Sequence, residues 1–178
     1  MRSAVLARYR SAYHSATRRE RLQGRLWYPT ATALAKEIGA AHNHDWRNVA
    51  RSISALSPRM PWERNIALTW ELASGRNPKA LSRSVSKARL ALTGKPALNG
   101  PKERSFAAAI LGNRRAVTID AHMLRVAGYP PKVSLSILRE CQHALSILAL
   151  ELDEDPRDLQ AIIWLVARNH GQLSFLED

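Results

Sequence analysis

The sequence predicts an all-α fold, and three observations support this prediction. Apolar residues recur at helical spacing, as Val49, Ile53 and Leu56 do. The strict alternation of apolar and polar residues that is typical of exposed strands is absent, and β-branched residues are scattered. Proline and glycine stand where the helical patterns begin and end.

The first half of the chain contains a basic segment over about 2–24 and predicted helices over about 30–39, 46–56, 61–74 and 79–92. Tyr28-Pro29-Thr30 leads into the first of these helices, and Gly39 ends it. Asp45 can cap the next helix because its carboxylate can accept a free backbone N–H. Pro61 suits the first position of the third, where no helical N–H bond is required.

The second half of the chain contains predicted helices over about 101–111, 119–127, 133–152 and 156–169. Pro101 opens the first, and Gly128 ends the second. Tyr129-Pro130-Pro131 is a rigid break before the long third helix. The last begins with Asp155 as cap and Pro156 at its first position.

The charge of the chain indicates a polyanionic partner. Lys and Arg number 27 against 15 Asp and Glu, which makes the net charge +12. A globular protein this basic usually binds nucleic acid, although a solvated basic surface is the alternative. Residues 76–115 carry ten Lys or Arg and one acid, Glu103, which predicts a phosphate-facing side there. The Arg-rich segment 1–26 is either a DNA-contacting arm or an exposed helix face, and the acidic segment 140–178 is expected to face away from DNA.

Several classes of protein are excluded by composition. The single cysteine, Cys141, cannot form an intrachain disulfide or, within one chain, a Cys-ligated zinc or iron–sulfur site. We expect no metal and no cofactor. No apolar run approaches the roughly 18–20 residues that span a membrane. The first residues are too rich in arginine for a signal peptide. We expect a cytoplasmic, nucleoid-associated protein.

Lys102 is the first candidate for chemistry. On the predicted helix 101–111 it shares the apolar face with Phe106 and Ile110, so its amine points toward the interior or the rim of a cleft. Glu103 and Arg104 fall off that face, where ordinary surface charge belongs. An amine in such a place can act as a nucleophile, or it can be a structural lysine whose stem covers apolar surface.

The turn before Lys102 is a candidate phosphate site. Leu98-Asn99-Gly100-Pro101-Lys102 joins two predicted helices, and a tight turn into a helix start presents free backbone N–H groups. The pattern therefore predicts a hairpin that can bind a nucleic-acid backbone.

Asp120 lies 18 residues after Lys102 and opens the next predicted helix. It follows the apolar stretch Ala116-Val117-Thr118-Ile119. A carboxylate at this point is either an N-cap or a group that can stabilise positive charge on a sugar. An amine and a carboxylate placed in this way suit an attack on the anomeric carbon of a nucleotide.

These two stretches resemble the helix-hairpin-helix DNA glycosylases of the endonuclease III and 8-oxoguanine glycosylase type. In that family a hairpin Leu-Pro-Gly-Val-Gly-x-Lys precedes a helix, and Val-Asp-x-His follows at nearly the same spacing. The matching stretches here are Leu98-Asn99-Gly100-Pro101-Lys102 and Ile119-Asp120-Ala121-His122. Upstream, Ala55-Leu56-Ser57-Pro58-Arg59 is similar to the family's Leu-Leu-Ser-x-Gln turn, so the resemblance covers about residues 45–128.

The chain departs from the family pattern at four points. Leu98 replaces the first hairpin glycine, and Arg59 stands where relatives often place a glutamine that fills the gap left by a flipped base. The cysteine cluster that binds iron and sulfur in many relatives is absent, and the chain is short for the family. These departures concern the substrate more than the fold.

The resemblance implies a two-lobed helix-hairpin-helix DNA glycosylase-like fold. One lobe would contain about 1–56 and 129–178, and the other about 57–128, with the helix-hairpin-helix at about 80–111. The protein is expected to be a monomer that binds double-stranded DNA with one nucleotide flipped out.

The resemblance also implies an activity, a DNA N-glycosylase with AP-lyase activity. Lys102 would attack the anomeric carbon and form a Schiff base, and Asp120, ionised, would stabilise positive charge on the sugar. Arg59 would be a wedge or gap-filler. The residues expected to contact DNA phosphates are Asn99, Gly100, Arg104, Arg114 and Arg115.

Two other functions remain open from the sequence. One is a DNA-binding protein of the same fold that performs no chemistry. The other is a phage-type enzyme of this fold that acts on a modified base or nucleotide. Base choice depends on pocket shape and loops, so the sequence does not separate them.

Overall fold

The computed structural model describes residues 2–79 and 81–173, with side chains for 4–79 and 81–169. All regular structure in these ranges is helical, which confirms the prediction of an all-α fold for the described residues. The helices are α1 (Arg2–Ser15), α2 (Arg18–His42), α3 (Trp46–Leu56), α4 (Trp62–Ala73), α5 (Ser82–Leu92), α6 (Pro101–Ile110), α7 (Ala121–Ala127), α8 (Leu135–Leu152) and α9 (Pro156–Leu173). Ala80, Glu177 and Asp178, which entered the predictions above, lie outside the described residues.

The largest difference from the predicted helices is in residues 2–42. α1 ends at Ser15, and α2 begins after Thr17, whose backbone N–H and hydroxyl both donate to Glu20 Oε2 at 2.9 Å. The Glu20 N–H donates back to Thr17 Oγ1 at 3.2 Å, so the two residues form a capping box. α2 then continues through Pro29, whereas the sequence predicted that a helix begins at about residue 30.

The sequence predicted that Gly39 ends a helix, but Gly39 lies within α2. Its role is to let the backbone at His44 approach the helix closely. It is buried inside α2, and a Cβ at this position would lie 2.8 Å from the carbonyl oxygen of His44. The His44 N–H in turn donates to the Gly39 carbonyl at 2.9 Å. The glycine therefore lets the chain turn closely against α2 before α3 begins.

The chain divides into two compact units. Unit 1 contains Met1–Tyr28 and Asn113–Asp178, and unit 2 contains Pro29–Gly112. The boundaries differ from those of the expected lobes, because 29–56 belongs with 57–112 and 113–128 belongs with the terminal helices. The physical reason is helix packing: α3 packs on α4, α5 and α6, and α7 packs on α1 and α9.

Unit 2 is organised around α3. The predicted apolar face of Val49, Ile53 and Leu56 is fully buried. Asn65 on α4 is also buried, and its amide Nδ2 donates to the Ile53 carbonyl at 3.0 Å. This bond ties α4 to α3 and satisfies a polar group that would otherwise be costly to bury.

Unit 1 has its own core, formed by α1, α7, α8 and α9. Tyr9 of α1 is fully buried and donates to the Met123 carbonyl of α7 at 3.2 Å. Burial raises the pKa of the Tyr9 hydroxyl well above its usual value. Cys141 is buried in the same core, in agreement with its apolar position in the sequence.

Candidate functional site

Lys102 lies in the first turn of α6, directly after the segment 93–100 that joins α5 to α6. It is half-buried, as its position on the apolar face of the helix predicts. Within the described part of the chain its amine has neither a hydrogen-bond acceptor nor an acidic partner. By contrast, the Lys87 ammonium donates to both Glu103 carboxylate oxygens, at 2.8 and 2.9 Å.

Glu103 organises the turn before Lys102, and this corrects its expected place on the surface. The residue is only 8% exposed. Its Oε2 accepts the backbone N–H of Asn99 at 3.2 Å and that of Gly100 at 3.4 Å, besides the ammonium of Lys87. These two N–H groups are therefore already satisfied, whereas the sequence predicted free N–H groups at this turn.

The pKa of Glu103 reflects this setting. Burial by itself would raise the pKa of the carboxyl, but the hydrogen bonds from Lys87 and from the N–H groups of Gly100 and Asn99 lower it below its usual value. The carboxylate form is the one that the turn stabilises.

The first turn of α6 is also held from α3. The Ser54 hydroxyl, which is buried, donates to the Glu103 carbonyl oxygen at 2.6 Å. Gly100 has an extended backbone (φ −84°, ψ 149°) and Pro101 follows it at the first helical position. Lys102 therefore projects from a backbone that is fixed by bonds on both sides.

Two further predicted DNA contacts lie on this turn. Asn99 is exposed, and Arg104 is exposed with its Nε donating to the Leu98 carbonyl at 3.1 Å. Unit 2 therefore brings Asn99, Gly100, Lys102 and Arg104 together over one turn and the helix start after it.

Arg59 is exposed in a tight turn of unit 2, in which the Met60 N–H donates to the Ser57 carbonyl at 3.4 Å. Its φ is 56°, in the left-handed region. The other described non-glycine residues with positive φ are Asn43 and Asp153, which are types that tolerate this region. Arginine has no such tolerance, so Arg59 occupies a strained position.

Asp120 is the N-cap of α7 in unit 1, as one of its two sequence interpretations predicted. Its Oδ1 accepts the Met123 N–H at 3.0 Å, and its Oδ2 accepts the indole Nε1–H of Trp164 at 2.9 Å. The residues before it, Val117 to Ile119, are buried, whereas Asp120 itself is only half-buried. A carboxylate so held keeps lone pairs that can face a ligand.

Trp164, the donor to this carboxylate, packs against other aromatic rings, and the sequence contained no reason to associate it with Asp120. The Trp164 ring meets Trp27 edge to face at 6.0 Å and His122 at 6.1 Å between ring centroids. The Arg168 guanidinium lies 5.4 Å from the Trp164 ring centroid. The only sequence signal was an apolar helix 156–169 that carries a tryptophan, which does not identify its partner.

A buried polar group lies beside these rings. The Tyr28 hydroxyl is 2.8 Å from Gln160 Oε1 and 3.3 Å from Thr118 Oγ1. Burial raises the pKa of Tyr28 well above its usual range. The contacts hold α2, α9 and the segment before Asp120 together within unit 1.

The two remaining predicted DNA contacts, Arg114 and Arg115, are exposed in unit 1. Arg114 forms an ion pair with Asp155 and its carbonyl accepts the Arg157 N–H at 3.1 Å. The Arg115 N–H donates to Asn113 Oδ1 at 3.0 Å. Unit 1 therefore contains Asp120, Arg114 and Arg115, whereas the other predicted site residues belong to unit 2.

Among the described side chains, those of residues 4–79 and 81–169, no group of three or more His, Cys, Asp or Glu residues is arranged so that it could bind a metal ion. Over the same residues, no helix has the length and apolar character needed to cross a lipid bilayer.

Comparison with known proteins gives one match. Residues 1–171 match the model of DUF7178, which is described as a family of unknown function. Neither a curated protein nor a solved structure matches the chain.

Proposed function

The chain belongs to DUF7178, a family of unknown function, and we propose that it is a DNA N-glycosylase with AP-lyase activity. Lys102 is the proposed nucleophile, and Asp120 is the proposed electrostatic partner. The proposal rests on the resemblance of residues 45–128 to helix-hairpin-helix DNA glycosylases and on the local geometry of each residue.

The observation that carries the proposal is the amine of Lys102. It is half-buried and lies next to a buried glutamate, yet that glutamate is bonded to Lys87 and to the turn. An amine without an acidic partner among the described residues suits a group that reacts with a ligand.

The proposed reaction has four steps. The Lys102 Nζ attacks C1′ of a flipped nucleotide, the bond from C1′ to the base breaks, and the base leaves with the electron pair and a proton. Asp120 stabilises the positive charge that develops on the sugar. The lone pair of the attached nitrogen then opens the sugar ring: the C1′–O4′ bond breaks, O4′ takes a proton, and C1′ becomes a protonated imine. Removal of a C2′ proton then breaks the C3′–O bond and nicks the strand. Hydrolysis of the imine restores Lys102.

Borohydride trapping tests the nucleophile. An imine between Lys102 and DNA that carries an abasic site is reduced by borohydride to a stable covalent adduct, which is measured on a denaturing gel. We expect the adduct with the native protein and none with Lys102→Ala. Lys95→Ala is the matched control, because Lys95 is an exposed lysine in the loop before the same turn, and this variant should trap normally.

The outcomes separate the proposed function from its alternatives. An undiminished adduct with Lys102→Ala removes the nucleophile assignment. Binding to DNA without base release or adduct on any substrate supports a non-catalytic DNA-binding protein. If the protein releases enzymatically modified bases from oligonucleotides but releases no damaged bases, it is an enzyme that acts on modified nucleotides.

A further inference from the structure

We propose that Trp164 is a positioning residue for Asp120, which it holds in one orientation through its indole N–H. The inference rests on the proposed function, because it assigns a role in catalysis to a bond that is observed within unit 1. Trp164 lies 44 residues after Asp120, on α9, and nothing in its local sequence associates it with the carboxylate.

Both oxygens of Asp120 are held, each by a different element. Oδ1 accepts the Met123 N–H of α7 at 3.0 Å, and Oδ2 accepts the Trp164 Nε1–H of α9 at 2.9 Å. An N-cap needs only the first of these bonds. The second blocks rotation of the carboxylate about its terminal torsion, which is otherwise broad and soft.

Tryptophan suits this role because its indole nitrogen only donates and its ring is large and rigid. The ring is held by edge-to-face contacts to Trp27 and His122 and by the Arg168 guanidinium. α9 also packs directly on α7. The donor is therefore fixed relative to Asp120, and the carboxylate is oriented before a ligand arrives.

The bond can be tested without any assay of activity. The chain has five tryptophans, and each indole N–H gives one cross-peak in a ¹H–¹⁵N spectrum. The peak that Trp164→Phe removes should move and exchange faster with solvent in Asp120→Asn, because the asparagine either turns its NH₂ toward the indole or gives up the cap. An unchanged peak in Asp120→Asn overturns the inference, whether or not the protein is a glycosylase.

Kinetics test the consequence. Trp164→Phe keeps an aromatic ring and removes the donor, so we expect single-turnover base release to slow about 10- to 100-fold while affinity for the same DNA stays unchanged. In an Asp120→Asn background the same change should have little further effect, because the two residues act as one unit. Trp70→Phe is the matched control, since Trp70 is a half-buried tryptophan of unit 2 that contacts His42.

The spectroscopic experiment and the kinetic experiment can each contradict the inference separately. Full activity of Trp164→Phe overturns the positioning role, as does an equal loss in the Asp120→Asn background. If Trp164→Phe does not fold, the solvent exchange of the indole peaks in the native protein and Asp120→Asn decides instead. A native protein that releases no base refutes the proposed function, and the indole spectrum still shows whether Trp164 holds Asp120.

Discussion

At the level of single residues, Glu103 fixes the turn that presents Lys102. One buried carboxylate accepts the N–H groups of Asn99 and Gly100 and the ammonium of Lys87. Its backbone carbonyl accepts the Ser54 hydroxyl from α3. Glu103 is the third helical residue after the N-cap Gly100, where a glutamate can accept the N-cap N–H, so the sequence contained half of the capping-box signal for this role.

Glu103→Gln tests this role through stability and its dependence on pH. Gln keeps the size of the side chain but loses the charge, so the free energy of unfolding near neutral pH should fall by about 1–3 kcal/mol. Since the folded-state pKa of Glu103 is lowered, its contribution is present above the usual value of 4.5 and is lost as pH falls through the folded pKa. The difference between native protein and variant should therefore shrink in acid, as chemical denaturation at several pH values would measure.

Glu37→Gln is the matched control for this experiment. Glu37 is an exposed glutamate of the same unit, so its variant should unfold with nearly native stability at every pH. A Glu103→Gln protein as stable as the native one at neutral pH would contradict the role assigned to the carboxylate.

At the level of elements, most helices after α2 match the sequence expectation, whereas the backbone of the turn at Arg59 does not. The bounds of α3, α5 and α6 lie close to the predicted ones, since each has a clear apolar face and a stop signal. The turn Ser57-Pro58-Arg59-Met60 was predicted, but the left-handed φ of 56° at Arg59 was not, because arginine gives no sign of it. A strained residue that is also exposed and basic suits a residue kept for contact with DNA.

Arg59→Gly separates strain from function. Glycine adopts positive φ freely, so thermal unfolding should show a stability gain of up to about 1 kcal/mol. If Arg59 contacts DNA, the same variant binds DNA more weakly in a titration. Asn43→Gly is the matched control, because Asn43 has φ 55° but is not basic, and this variant should leave DNA affinity unchanged.

Two outcomes would contradict the roles proposed for Arg59. A destabilised Arg59→Gly protein would mean that the side chain makes contacts that outweigh its strain. Native DNA affinity in this variant would remove Arg59 from the DNA-contacting residues.

At the level of the whole molecule, the segments rich in Lys and Arg differ in how many of these residues form ion pairs. The N-terminal Arg10 and Arg25 pair with Glu151 and Glu154 of unit 1, so part of the Arg-rich segment is bound to the acidic C-terminal region. From 76 to 104 the pattern differs, because Lys87 is the residue that pairs with Glu103, and the other Lys and Arg of this segment form no ion pair within the described ranges. This segment is therefore the better candidate for phosphate contacts.

Salt dependence tests this assignment. The logarithm of the DNA-binding constant should fall linearly with the logarithm of salt concentration, and Arg104→Ala should reduce the slope by about one. Arg10→Ala, which removes an arginine already paired with Glu151, is the matched control and should leave the slope nearly unchanged. An equal slope for native protein and Arg104→Ala would remove Arg104 from the phosphate contacts.

The all-α class, most helix bounds after α2, the half-buried position of Lys102 and the N-cap at Asp120 could be predicted from the sequence. These features depend on neighbours within one helical turn, namely caps, prolines, glycines and apolar periodicity. The N-cap at Asp120 and the half-buried position of Lys102 followed from such neighbours.

Three features could not be predicted in this way: which segments form each unit, the passage of α2 through Pro29, and the bond from Trp164 to Asp120. Each of these depends on side chains far apart in the chain, such as Asp120 and Trp164, which come together only when α7 and α9 pack. A single sequence has no periodicity that encodes such a pair, because the bond depends on the angle and distance between two helices rather than on spacing along one of them.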